Sequence, residues 1–259
     1  MILDGKKLAV EILARAKARA SKLPRRPKVA AYAFSDTPAT RSYLSIKAKS
    51  AEAAGCDFEV RKDLPIRLDG DAILMQLPLP KGMDIRILDQ IPFEKDADIL
   101  SPAARAVFER GDERALLPPV IGAVKEILHC AAADPKGKPA IVIGLGFLVG
   151  HPAAVWLAQQ GAKVIVADDK TKNLGELVAL ADIIVSGAGV PRLIKPEMLK
   201  EGVILIDAGT SELDGTIVGD ADPACAPKCS LFTPVPGGIG PVAVACLFNN
   251  AVELASRIK

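Results

Sequence analysis

The sequence predicts an α/β fold in two domains, the second built on a doubly wound parallel sheet. Three observations point there. Val, Ile and Leu crowd into short runs, as strands buried on both faces require. From Ala140 onward, strand and helix patterns alternate strictly, which is the signature of a parallel sheet. A chain of 259 residues is also long enough for two units that each bury a core.

Apolar residues recur at helical spacing from Lys6 to Leu23, and Pro24 and Pro27 stop the pattern. Lys28–Phe34 reads as a strand, Ser35 to Pro38 as a turn or helix entry, and Thr40–Gly55 as a helix closed by glycine. Phe58–Val60 and Ala72–Leu77 are strand candidates, the latter ending at Pro78 and Pro80. Asp84–Ile91 looks helical, Pro92–Asp98 is a loop, and Pro119–Cys130 is a helix. Asp134 to Lys138 is the clearest linker.

Strands then follow at Ala140–Gly144, Lys163–Ala167, Ile183–Ser186 and Val203–Asp207, separated by helices at Pro152–Gln160, Leu174–Leu180 and Pro196–Leu199. A last amphipathic helix, Val242–Ile258, is long enough to leave this unit.

The composition is 50% hydrophobic and 25% charged, ordinary for a globular chain, and 4% aromatic, so the core is aliphatic. Net charge is +2 with both signs mixed, so nucleic acid is not an expected partner. Cys56, Cys130, Cys225, Cys229 and Cys246 are scattered. Cys225 and Cys229 have no second pair or nearby His to complete a zinc set, so reduced thiols and no metal are expected. There is no basic-then-apolar leader and no apolar run of the ~18 residues that span a bilayer. The expectation is a cytoplasmic protein with no membrane partner.

The first strand of the alternating region runs into Gly144-Leu145-Gly146-Phe147-Leu148-Val149-Gly150 and then a helix. A glycine-rich turn between strand and helix lets backbone N–H groups approach a pyrophosphate, whose charge the helix N-terminus favours. The next strand ends at Asp168 and Asp169, where an acid that binds ribose hydroxyls is expected, with Lys170 beside it. A carboxylate there favours NAD over NADP, but Lys170 next to it could still receive a 2′-phosphate. Gly187, Ala188 and Gly189 form a second glycine-rich strand end, and Thr210 follows the strand after that; both join the expected cofactor set.

Tyr43 and Lys47 stand four apart on a predicted helix, on one face. Only two histidines occur, His129 and His151, so a Lys and Tyr pair, with the lysine pKa lowered by burial, is an alternative proton-handling set. Read alone, the pair also fits a surface helix with a partly buried tyrosine. The run Ser42 to Lys49, Gln76-Leu77-Pro78-Leu79-Pro80, Pro92 to Asp98 and Thr233-Pro234-Val235-Pro236-Gly237-Gly238-Ile239-Gly240-Pro241 follow in order. Together they resemble the signature segments of the bifunctional methylenetetrahydrofolate dehydrogenase/methenyltetrahydrofolate cyclohydrolase family.

The resemblance implies a homodimeric enzyme that oxidises 5,10-methylenetetrahydrofolate with a nicotinamide cofactor and hydrolyses the methenyl product to 10-formyltetrahydrofolate. It implies a folate-side domain over 1–118, a Rossmann-like NAD(P) domain over 119–240, a C-terminal helix (241–259) returning to the first, and folate in the cleft between them. Lys47 then matches the essential lysine of hydrolysis, Tyr43 the tyrosine that orients folate, Gln76 the glutamine that positions the lysine, and Asp98 the aspartate that holds the pterin. Pro236, Gly237, Gly238 and Pro241 match the loop bordering folate and nicotinamide.

The chain departs from the pattern in places. Leu145-Gly146 replaces an Arg-Ser pair and Asp168-Asp169 a His-Ser pair, removing groups that hold the NADP 2′-phosphate. Ile99 stands where the family has glycine, Val120 where it has threonine, and the stretch from Lys47 to Gln76 is short. Alternative readings are a shikimate-dehydrogenase-like oxidoreductase and a non-catalytic binding homologue. The histidines read as structural, Trp156 as core, and Asp207 and Asp220 as turn-formers.

Overall fold

A computed structural model describes residues 1–63 and 68–258, and the chain groups into two units. One comprises Leu8–Pro119 with the chain from Val244 onward, the other Met1–Lys7 with Val120–Ala243. Lys259, the end of the expected C-terminal segment, lies outside the described residues.

In the first unit, which holds α1 (Gly5–Ala20) from Leu8 onward, that helix buries Leu8, Ile12, Leu13 and Ala16 along one stripe. It ends before Leu23, because Ser21, Lys22 and Leu23 continue as turns before Pro24. The strands β1 (Lys28–Tyr32), β2 (Asp57–Arg61) and β3 (Ala72–Met75) form a parallel sheet in the order β2-β1-β3. Between β1 and β2 lies α2 (Pro38–Ala54), begun by a Thr37 side chain that accepts the Thr40 N–H at 3.1 Å and ended by Gly55 at φ +77°.

Among the described residues no helix joins β2 to β3, in keeping with the short spacing. The helix expected over 84–91 is a tighter 3₁₀ segment, Ile85–Gln90. Sequence reading missed α3 (Pro102–Glu109), capped by Ser101, whose hydroxyl accepts the Ala104 N–H at 3.2 Å.

The second unit runs α4 (Pro119–Cys130), β4 (Pro139–Ile143), α5 (Gly150–Gln159), β5 (Lys163–Ala167), α6 (Leu174–Leu180), β6 (Ile183–Ser186) and β7 (Val203–Asp207). A small hairpin of β8 (Ser211–Leu213) and β9 (Thr216–Val218) and a fifth parallel strand, β10 (Cys229–Phe232), follow; none of the three was expected. Pro196–Met198 is one 3₁₀ turn rather than a helix. The parallel sheet is ordered β10-β7-β6-β4-β5, with β5 on one side of β4 and β6 on the other. Strand order therefore reverses beside β4, and ligands of such sheets bind at the C-terminal strand ends at that reversal.

The N-terminal residues belong to this unit by hydrogen bonding: Leu3 N–H donates to the Phe232 carbonyl at 2.9 Å and Gly5 N–H to the Gly237 carbonyl at 3.1 Å. Trp156 is buried, as expected. The last helix, α7 (Ile239–Arg257), is long and apolar enough to cross a membrane, but more than half of it is buried within the protein, with Val242, Phe248 and Val252 almost wholly covered.

Candidate active site

The first unit brings together Lys47, Gln76 and Asp98, with Tyr43 one turn before Lys47. Tyr43 and Lys47 lie one turn apart on α2, Tyr43 being half exposed. The Gln76 N–H donates to the Tyr32 carbonyl at 2.8 Å, extending the β1–β3 pairing by one residue and holding Gln76 at the strand end. Its buried side chain accepts a hydrogen bond from Lys47 Nζ at 2.9 Å through Oε1 and donates through Nε2 to the Leu77 carbonyl at 2.6 Å. That second bond fixes which amide atom faces the lysine.

Asp98 reaches the same place because its segment is docked on the edge of β3. Ile73 and Asp96 form a parallel bridge there. The buried Asp96 carboxylate accepts the Leu100 N–H at 3.2 Å and the Ser101 N–H at 2.7 Å, closing the turn that carries Asp98. Asn250 of α7 pins the turn from the other side, donating to the carbonyls of Ala97 at 3.0 Å and Leu117 at 2.9 Å. Asn250 was not legible in the sequence, since its role depends on a helix far along the chain.

Ile99 follows at φ +56°, the left-handed conformation that a glycine would take freely. For a side chain with a Cβ this costs about 1–2 kcal/mol. Ile99 is only 4% exposed, and burying such a side chain contributes about 1.5–3 kcal/mol, so burial outweighs the strain and the turn survives without its glycine.

Electrostatically the cluster is a pair of opposed groups crowded by protein. Burial holds the Lys47 pKa below its ordinary value, while the nearby Asp98 charge works the other way. Burial likewise pushes Asp98 up to about 6, against the pull of Lys47. At neutral pH Asp98 is therefore still mostly an anion, and Lys47 gives up its proton more readily than a surface lysine does.

In the second unit the Gly144–Gly150 turn lies at the strand-order reversal. Gly144 sits at φ +84°, and a Cβ there would come within 2.8 Å of the Gly187 carbonyl oxygen and 2.9 Å of the Ala188 Cα. A Cβ on Gly150 would lie 1.8 Å from the Gly144 carbonyl oxygen. These glycines let strand, turn and α5 pack at backbone contact, the arrangement a dinucleotide needs. Gly146 and Gly189 face open space, and the residue at the N-cap of α5 is Val149, whose side chain has no group to cap the helix. Leu145, Phe147 and Leu148 are exposed around the turn.

Asp168, Asp169 and Lys170 are exposed at the end of β5. Asp168 Oδ1 accepts the Lys170 N–H at 3.0 Å and the Thr171 hydroxyl at 3.1 Å. Thr210 is exposed just beyond β7. In the Thr233–Pro241 segment, Pro236 is exposed, Gly237 takes φ +100°, and Gly238 packs so closely on Pro234 and Gly5 that neither Gly238 nor Gly5 has room for a side chain. Pro241 lies in the first turn of α7. Asp207 and Asp220, expected as turn-formers, are instead wholly buried and bridge several strand ends. Among the described residues no group of three or more His, Cys, Asp or Glu is placed to hold a metal ion.

Comparison with known proteins agrees with this geometry. Residues 118–259 match the family described as tetrahydrofolate dehydrogenase/cyclohydrolase, NAD(P)-binding domain. The chain is 36% identical to a bifunctional protein FolD of Hydrogenobaculum sp., covering 97% of each chain. That alignment spans 270 positions, more than this chain has residues, so the relative holds segments without a counterpart here.

The bifunctional FolD enzyme of Campylobacter jejuni superposes with a TM-score of 0.93 at 34% identity, covering 99% of this chain and 98% of that one. The Trypanosoma brucei FolD enzyme, solved with NADP and an inhibitor, gives 0.90 at 30% identity over 99% and 97%. These likenesses do not favour either alternative reading. With the fold, the glycine turn and near-complete coverage in agreement, the chain belongs to the bifunctional methylenetetrahydrofolate dehydrogenase/methenyltetrahydrofolate cyclohydrolase family.

Proposed function

We propose that the first unit binds the folate and performs the hydrolytic step through Lys47, Gln76, Asp98 and Tyr43, while the second holds the dinucleotide. The overall reaction is that of the family: oxidation of 5,10-methylenetetrahydrofolate to the methenyl form, then hydrolysis to 10-formyltetrahydrofolate. The observation that carries the assignment is the 2.9 Å hydrogen bond from Lys47 Nζ to Gln76, in a setting that lowers the lysine pKa.

The nicotinamide, when bound, accepts the hydride. Gly144, Leu145, Gly146, Phe147 and Leu148 would border its pyrophosphate, Asp168, Asp169 and Lys170 its adenosine ribose, and Gly187, Ala188, Gly189 and Thr210 the remainder. The close glycine packing fits that group. Pro236, Gly237, Gly238 and Pro241 would border the folate.

Loss of hydride leaves a cationic methenyl carbon, and the water that attacks it must shed a proton. Lys47 in its neutral form takes that proton, and its bond to Gln76 aims Nζ while leaving the lone pair for the water. The Asp98 carboxylate accepts from the donor-rich pterin edge, and Tyr43 lies against the folate.

Specificity for NAD rests on Asp168. Both hydrogen bonds to its carboxylate among the described residues fall on Oδ1, which leaves Oδ2 to accept from ribose hydroxyls and to repel a 2′-phosphate. A homodimer is part of the proposal, in keeping with the edge strand β5 and its exposed Ile165 and Val166. So is cytoplasmic residence, in keeping with the scattered cysteines.

The Asp98 role predicts a pH dependence. Its pKa is raised to about 6, so the carboxylate form that grips the pterin is present above that pH and is lost as pH falls through it. The KM for methenyltetrahydrofolate should rise as pH drops from 7 to 5, about tenfold by the lower end. An Asp98→Asn variant should show a high KM with no such dependence. A wild-type KM that stays flat across this range would remove Asp98 from the substrate site.

A further inference from the structure

We propose that Asp220 is a positioning residue of the dinucleotide site, setting the loop after β6 on which the glycine turn rests. The inference depends on the second unit's dinucleotide reading and adds a residue that touches no ligand in that reading. Asp220 is fully buried, and three donors converge on it. Its Oδ2 accepts from the Ser186 hydroxyl and the Ala188 N–H, each at 2.7 Å, and its Oδ1 accepts the Val190 N–H at 2.9 Å. One carboxylate thus fixes both sides of Gly189, which takes φ +67° and has open space around it.

The fixed loop is the surface against which the glycine turn packs. Gly144 lies in backbone contact with Gly187 and Ala188, and a Cβ on Gly187 would meet Val149 at 2.6 Å. A shift of the 186–190 loop therefore moves the 144–150 turn.

Asp220 is itself held by Asp207, whose carboxylate accepts the N–H groups of Gly209 (2.9 Å), Asp220 (3.1 Å) and Ala221 (2.8 Å). The Asp207 N–H in turn donates to Thr233 Oγ1 at 2.7 Å. The ends of β6 and β7 are thereby joined through two buried carboxylates, and the Thr233 hydroxyl ties the end of β10 to the Asp207 backbone. Gly209 and Gly219 are needed for this, since a Cβ on either would strike Asp220 or Asp207 at 2.2 or 2.0 Å.

The chemistry requires a carboxylate. An asparagine is almost the same size but must turn its amide NH₂ toward either Ala188 N–H or Val190 N–H, so one pair of donors faces each other in a buried site. Leaving a buried donor unsatisfied is costly enough to shift the loop.

Asp220→Asn should therefore weaken NAD binding about tenfold or more by calorimetry, and raise the dinucleotide KM by the same factor. The folate KM should change less than about twofold and the far-UV circular dichroism not at all; a merely structural defect would not separate the two KM values. If the Asn variant does not fold, Ser186→Ala replaces it. That change removes one of the three bonds, a bond to a charged acceptor, and should weaken NAD binding about threefold or more. Equal NAD affinity in wild type and the folded variant would overturn the role of Asp220 alone. A wild-type protein that binds neither NAD nor NADP would overturn the dinucleotide reading and this inference with it.

Discussion

Lys47→Met is expected to lower the rate of methenyltetrahydrofolate hydrolysis by about 10²–10⁴-fold, the range for losing a positioned acid–base group. Methionine keeps much of the lysine stem and its packing, so the change removes a proton carrier with little loss of contact. Gln76 Oε1 loses its donor at the same time, and that loss is about 1 kcal/mol, too small to unfold the unit. Hydride transfer is chiefly a matter of holding two carbons together, so methylenetetrahydrofolate oxidation should fall by less than about tenfold. Following the methenyl absorbance separately from reduced nicotinamide checks both halves. Full hydrolysis by the variant would remove the lysine from its assigned role.

Gly150→Ala should have the other large effect, in the second unit. The added Cβ would lie 1.8 Å from the Gly144 carbonyl oxygen and 2.6 Å from its carbon, both backbone atoms that cannot swing away. Overpacking of this kind costs about 1–3 kcal/mol or more, and here it can be relieved only by lifting α5 off the turn. Dinucleotide affinity should drop at least tenfold, about 1.4 kcal/mol, and thermal unfolding should come several degrees earlier. Gly146→Ala, where almost nothing lies within reach of a Cβ, should melt like the wild type.

The parallel sheet of the second unit was legible because its strands are strongly apolar and its turns glycine-rich. β4 to β7 fall within about a residue of where the pattern puts them. The elements that escaped are short: α3 has eight residues, and β8, β9 and β10 three or four each, too few for a period to emerge. Lys47 and Gln76 were legible as separate residues, and the fold supplies the reason they meet: α2 connects β1 to β2 of the sheet in which β3 is an edge strand, and the Lys47 and Gln76 side chains meet at 2.9 Å.

Asp220 was misread for a different reason. An aspartate after glycine in a loop has the sequence appearance of a solvated turn, and only the fold shows that the ends of three strands close over it. Ile99 shows the converse case, in which a residue other than glycine takes the left-handed conformation and its burial offsets the strain.

The most direct measurement is turnover of 5,10-methylenetetrahydrofolate by the purified protein with NAD and with NADP in parallel. The expected result is one reduced nicotinamide formed per folate oxidised, a higher kcat/KM with NAD than with NADP, and a methenyl signal that decays to the formyl product without further cofactor. No reduction of either cofactor would contradict the dehydrogenase assignment, and a strong preference for NADP would contradict the role given to Asp168.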